Sequence, residues 1–524
     1  MSRYLFLSWY VTLCSFGVLR SQSLFDEYDF RCEERRDQKI AAKLQLYEDK
    51  IKALENQIKS IDLKNQQDAE KINDRIFKLE ETFQNFTNKN GSSTKPAQLM
   101  GREFYMVFPP LFFDGGDSYC VLYIVSITTG TCTVALPLLT KRYNLDLKPG
   151  QNTLFLLASY MALENQMEGK GVHIDCSTNV NVYAAKHDKF TTTAFLVLPI
   201  HSRFHYKYRY IPSIEPKSVA PQYYHLYNST LSIVSSGDNN VVTVNLNLTE
   251  GDSITIDNQT YWYNESIRLL MNKYESVVIS HGMDLTGSSV SSIDPIFLAT
   301  GNNCGRLHDD NACSGMYSVI PLDDSNDSKN YEKEHLYVAP FFYPFLRGYR
   351  IRIMSKSLDY RLQYTVGSEN KTEVLFVQSN FVDIDVESND PVFIRASRFV
   401  SVMVITPGKN NTDGVGTAFM LHVPEQQSLL SEYHFVVPDL NTTSYITIVC
   451  RNVSQLRLDN GFINGESRTT YGVNSEPYEV VALPIPPGYH TATNIQGETF
   501  SLYVYGKQKP NLGYGFVAGF KIQE

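Results

Sequence analysis

Tryptophan is nearly absent from this chain, with 2 residues in 524 against 34 tyrosines and 29 phenylalanines, a balance that suits β-sheets. A basic surplus is missing as well: net charge is −9, so no domain-wide positive field exists to release counterions from nucleic acid. Past the N-terminus no apolar run reaches the length that spans a bilayer, and the C-terminal GYGFVAGFKIQE carries no anchor signal. There is no nucleophile elbow, HExxH, P-loop or dinucleotide-binding glycine run, so the expectation is a protein that is not an enzyme and holds no cofactor. His308, Asp309 and Asp310 lack a second ligand group at metal-site spacing and read as a solvated loop. Asp114 and Asp117, with two glycines between them, read as a turn at a strand end rather than a calcium loop. The basic-aromatic run His201–Tyr210 reads as sheet surface.

Residues 1–23 have the form of a secretory signal: Arg3, an apolar run from Tyr4 to Val18, then small residues at Ser21 and Ser23. The mature chain is therefore expected outside the cell. Sequons at Asn85, Asn90, Asn228, Asn247, Asn258, Asn264, Asn326, Asn370, Asn410, Asn441 and Asn452 agree with an exported glycoprotein. Apart from Cys14 in the signal, the cysteines are odd in number, which suggests a bond between chains, and Cys32 is the most isolated candidate.

Residues 24–90 read as a coiled-coil stalk. Leu44, Ile51 and Ile58 at a, with Ile40, Tyr47, Leu54 and Ile61 at d, form a heptad seam. Asn65 takes the next a position, and the pattern resumes at Ile72, Ile76, Leu79, Phe83 and Phe86 after an eleven-residue stutter. A homodimer or homotrimer is expected, with Cys32 copies meeting just before the first heptad. Residues 91–99 form a polar linker.

From Met100 the period changes to two, apart from one short helical stretch expected at Ala158–Met167. A landmark recurs: an aromatic strand ending near proline, a second strand, a polar turn and a third strand. It starts near Phe104, Tyr208, His335 and His434, roughly one sandwich domain apart. The fold class is thus mainly β, in units at about 100–200, 201–303, 332–422 and 431–522. Cys132 and Cys176 fall on inward parity within the first unit and could meet across its core. Cys120 and Cys132 are out of register about a hairpin turning at Thr128–Gly130, leaving Cys120 and Cys450 bridged or as thiols.

The stretch from the strand ending at Gly301 through Cys304 and Cys313 to Tyr337–Pro340, with Gly513–Gly519 near the end, resembles the N-terminal domain of the IgGFc-binding protein family over about residues 100–522. A Cys304–Cys313 bridge matches the family pattern and closes a ten-residue loop. Together with the stalk, the resemblance implies a secreted oligomer that recognises protein or glycan ligands by avidity, in mucosal defence or adhesion. The alternative is a structural component of extracellular matrix or mucus. A glycan-active hydrolase ranks third.

Overall fold

The structure, a computed structural model, describes residues 100–521 apart from 111–117, 158–159, 161–162, 188–190, 201–208, 215–226, 306, 308–313, 321–333, 345–347, 356–359, 369–371, 378, 408–417, 473–475 and 509–511. The signal segment, Cys32, the stalk and the linker lie outside the described residues.

Period-two patterning from Met100 folds as expected into a mainly β body, in which one arrangement of two packed sheets occurs four times. The first copy contains β1 (Gly101–Met106), β2 (Tyr119–Ser126), β3 (Gly130–Leu136), β4 (Lys141–Leu147), β5 (Gly150–Leu157), β6 (Met167–Glu168), β7 (Val172–His187) and β8 (Thr192–Val197). Its sheets share the sixteen-residue β7. The first half of β7 joins an outer sheet, β1-β7-β3-β4, and the second half an inner sheet, β5-β2-β7-β8. Burial follows the division: several residues of the first half reach solvent, whereas the second half is buried on both faces up to Lys186.

Three further copies repeat this order. The second has β9 (Arg209–Tyr210), β10 (Ser229–Ser235), β11 (Asn240–Asn245), β12 (Ser253–Ile256), β13 (Gln259–Trp262), β14 (Ser266–Met271), β15 (Ser276–His281), β16 (Ser289–Ser292), β17 (Ile296–Gly305) and β18 (Ser314–Val319). Its outer sheet is β9-β16-β11-β14 and its inner sheet β15-β10-β17-β18. The third has β19 (His335–Ala339), β20 (Tyr349–Met354), β21 (Tyr360–Val366), β22 (Thr372–Val377), β23 (Phe381–Val386), β24 (Val392–Ala396), β25 (Ser401–Ile405) and β26 (Met420–Val423). These pair as β19-β24-β21-β22 outside and β23-β20-β25-β26 inside. The fourth has β27 (Glu432–Val437), β28 (Thr443–Cys450), β29 (Leu456–Leu458), β30 (Gly461–Phe462), β31 (Glu466–Tyr471), β32 (Pro477–Ile485), β33 (Gly488–Asn494), β34 (Ser501–Gln508) and β35 (Leu512–Val517). Its outer sheet is β27-β33-β29-β30, and its inner sheet β32-β28-β34-β35 carries β31 beyond β32.

Two local expectations are corrected. The hairpin expected at Thr128–Gly130 does not form: β2 and β3 lie in succession along β7, and in the other copies β10 and β11, β20 and β21, and β28 and β29 enter opposite sheets. Each strand of the pair carries its own buried face, so the chain crosses the sandwich instead of doubling back. The stretch expected to be helical, Ala158–Met167, forms no α-helix in its described part. Glu164 bridges Val278, Asn165 hydrogen-bonds Val278 and Ser280, and β6 adds an edge to β15. Pairing with a neighbouring sheet overrides local helical propensity here.

Apolar alternation explains each sandwich. In the second copy Leu231, Ile233, Ile279 and Leu298 of the inner sheet face Val242, Val244, Ile267 and Val290 of the outer one. The other face of that inner sheet, with Val234, Val278, Phe297 and Ala299, packs into a second core shared with the first copy, where Phe195 meets Phe297 at 6.4 Å.

Polar contacts link successive copies and then close the circuit. From first to second, β6 joins β15, and Tyr317 Oη donates to Pro110 O at 2.6 Å. From second to third, the buried Arg352 guanidinium pairs with Asp284 at 2.7 Å and donates to Thr286 Oγ1 at 2.6 Å, while its other arm holds Asp383 at 2.8 Å. Burial alone would raise the Asp284 carboxyl, but Arg352 and the Ser213 and Thr286 hydroxyls outweigh it and hold the group below the usual carboxylate range. From third to fourth, Tyr505 Oη accepts from Tyr343 N at 3.0 Å and donates to Tyr343 O at 2.9 Å. Fourth returns to first through Asn181 Nδ2 to His434 O at 3.0 Å and Tyr183 Oη to Ala518 O at 2.7 Å.

Neighbouring arginines of β20 test the second-to-third link. Arg352→Met strands the Asp284 charge and is expected to lower stability by about 3–5 kcal/mol. Arg350→Met removes the more exposed pair with Asp385 and should cost less than about 1 kcal/mol. Denaturant unfolding of the two variants checks this; equal losses would mean that Arg352 bridges nothing essential.

Candidate functional site

The last strands of the four copies, β8, β18, β26 and β35, gather at one place. They are the edge strands of the inner sheets. Between them lies a small recess of ≈ 290 Å³, adjoining solvent included, walled by Phe195, Leu196, Val319, Phe516 and Phe520 among others. The one imidazole in this wall is His422 on β26, 5.5 Å from the Phe520 ring. Its Nδ1 is buried without a hydrogen-bond partner among the described residues. Burial pushes the ring far below the ordinary histidine range, to about 3, and a hydrogen bond to the Val402 backbone offsets this only in part. Tyr317 is the other titratable side chain in the lining. Beside His422 the lining holds the Ser318 and Tyr317 hydroxyls, and its remaining side chains are apolar.

Surface suited to a ligand lies at the far end of the first inner sheet. Tyr119 of β2, Phe155 of β5 and His187 of β7 are adjacent, with ring centroids 5.9 and 5.1 Å apart. Phe155 is 66% exposed and Leu157 64% exposed. At its other end the same face bears Tyr123 and Tyr183, both buried, with Tyr183 bonded to the fourth copy. A rigid sheet therefore continues from a buried interface into an exposed aromatic patch, a composition favoured where protein partners bind.

The sequence-derived residues fall as follows. Cys132 and Cys176 sit directly opposite one another on β3 and β7 and form a disulfide, with Cα atoms 4.0 Å apart. They are neighbours within one sheet rather than partners across the core. Cys304 is buried in β17 and disulfide-bonded, whereas Cys313 lies outside the described residues. Cys120 and Cys450 are buried thiols; burial first, then Glu479, pushes Cys450 up to about 12, which leaves it unreactive at neutral pH. Asp114, Asp117, His201, His308, Asp309, Asp310, Asn85, Asn90, Asn326, Asn370 and Asn410 also lie outside the described residues.

Among the described sequons, Asn258, Asn264 and Asn441 are exposed in left-handed turn positions, at φ +66°, +65° and +55°. Asn452 is exposed and caps Ser454. Asn247 is exposed, but its amide nitrogen donates to Thr286 O at 2.7 Å. Asn228 differs most: its amide nitrogen donates to Glu164 Oε2 at 2.7 Å, and Asn303 holds the other carboxylate oxygen at 2.9 Å.

Sequence reasoning missed His422 and the Arg352 network. The second had a legible signal: YRIRIM and FVDIDV alternate opposite charges with apolar residues, and Arg352 stands across from Asp383 in register. His422 had none, because only the fold shows what surrounds it.

A pH series follows from His422. The unfolded chain protonates this ring near pH 6.5, whereas the native one stays neutral down to about 3, so stability falls as pH drops through that interval. Relative to His422→Leu, wild type should lose about 1.4 kcal/mol per pH unit below 6.5 in denaturant titrations. A gap independent of pH would contradict the burial of a neutral ring.

No curated protein matches the chain. The model of one family, described as IgGFc binding protein, matches residues 193–506, more than half of the 524. The match runs from β8 into β34, across the last strand of the first copy, the second and third copies and most of the fourth. The chain belongs to the IgGFc binding protein family.

Proposed function

We propose that this protein is a secreted, N-glycosylated, oligomeric binding protein that recognises extracellular protein or glycan ligands through a rigid β head. The observation that carries the reading is the patch formed by exposed Phe155 and Leu157 beside half-buried Tyr119 and His187, set on a sheet whose other end is locked into the ring. Aromatic anchors on a preorganised surface lose little entropy on binding, which is how such patches become hot spots. Family membership supports a binding role over a catalytic one. The heptad pattern at 24–90 supports a stalk that joins two or three heads, and avidity then raises apparent affinity by about 10²–10⁴ without new contacts. Glycans occupy the exposed sequons. Asn228 stays unmodified, because the amide nitrogen that would carry the sugar is turned inward onto the half-buried Glu164 carboxylate.

Binding of the full chain to protein and glycan arrays identifies the ligand class. Phe155→Ser is expected to weaken that binding by about tenfold or more, and removal of residues before Met100 to weaken retention on cells while leaving single-head affinity unchanged. Equal retention by the truncated head would refute avidity, and an unaffected Phe155→Ser protein would refute the patch.

A further inference from the structure

Each outer sheet ends in a strand with one partner among the described residues: β4 beside β3, β14 beside β11, β22 beside β21 and β30 beside β29. These strands occupy the same place in the four copies. A free strand edge is a template for pairing with a second molecule, so each needs protection. Exposed Lys141, Arg142 and Asp146 protect β4, and β30 is two residues long. The first device is thinner on the other two, which carry one exposed charge each, Arg268 on β14 and Glu373 on β22. β14 runs six residues with Leu270 60% exposed, and β22 runs six with Val374 42% and Phe376 79% exposed.

A sequon stands at the head of each of these two apolar edges. Ser266, the hydroxyl residue of the Asn264 sequon, is the first residue of β14. Thr372, the first residue of β22, completes the sequon at 370–372. The first residues of β4 and β30 complete none. Asn264 sits in a tight turn in which Glu265 N donates to Trp262 O at 2.9 Å and the Glu265 carboxylate takes Trp262 N at 2.6 Å. Its φ of +65° is one that asparagine tolerates, and its side chain is exposed. Trp262, two residues earlier, is 57% exposed, so the turn itself is an apolar spot.

We propose that the N-linked glycan on Asn264 is an edge guard, a hydrated oligosaccharide that covers the Trp262 turn and blocks β14 from pairing with β14 of a second copy. The inference rests on the glycoprotein reading above and adds a role for one sugar. Two edges must approach within about 5 Å to form a ladder, and a branched oligosaccharide fixed two residues before the strand occupies that approach.

The test uses the full secreted chain, comparing wild type, Ser266→Ala, Asn264→Gln and the control Asn441→Gln. Ser266→Ala abolishes the sequon while keeping Asn264 in its turn, so it separates loss of sugar from loss of backbone fit. Glycopeptide mapping should find Asn264 occupied in wild type. By sedimentation velocity, Ser266→Ala and Asn264→Gln should form assemblies larger than the wild-type oligomer at about one-tenth the concentration wild type requires, with Asn441→Gln unchanged. Adding Leu270→Lys to Ser266→Ala should restore wild-type behaviour. An unoccupied Asn264, a Ser266→Ala protein as monodisperse as wild type, or equal assembly by Asn441→Gln would each overturn the proposal. Ligand binding plays no part in this readout, so failure here leaves the binding reading standing, and failure of the binding assays leaves the edge guard standing.

Discussion

Burial of the inner sheets on both faces is the constraint from which the rest follows. A sheet in an isolated sandwich buries one face and shows alternating polar residues on the other, whereas a sheet covered on both sides reads as a continuous apolar run. The second half of β7, together with β8, β17 and β26, is of the latter kind. Each inner sheet therefore needs a neighbour, and four copies closing on themselves satisfy that need for all of them. The polar links add geometry more than energy. A buried pair such as Arg352 with Asp284 stabilises little against an apolar replacement of equal shape, but it penalises any packing that strands one charge.

Closure also divides the molecule by role. The centre, around His422 and the four terminal strands, is lined mostly by apolar side chains. Among the described residues, the rim of β5, the turns that carry sequons and the outer-sheet edges lie outward. Exposed Phe155 and Leu157 stand on β5, the edge strand of a sheet whose other strands are largely buried. In the proposed reading a stalk multiplies this rigid head, and glycans decide which parts of its surface stay open.

That the fold is mainly β was legible from period-two patterning. What sequence could not reveal was which sheet each strand enters. Strands flanking a short polar turn look like a hairpin whether they pair with each other or cross the sandwich, since the inward residues are the same in both cases; β2 and β3 show this, and so does the within-sheet meeting of Cys132 and Cys176. The stretch around Glu164 failed for a related reason, because its partner Val278 is more than a hundred residues away. Of the proposed binding surface, sequence could supply sequons and aromatics but not exposure: Phe155 and Phe195 look alike in the sequence, and one is at the rim while the other is in the core.

Hydrogen exchange on the intact protein, read by mass spectrometry, tests the closed ring most directly. Strands β8, β18, β26 and β35 belong to four different sheet pairs yet share one core, so their amides should be freed together, with a common opening free energy near that of global unfolding. Four separate opening energies, each confined to its own sheet pair, would show beads on a string and contradict the account.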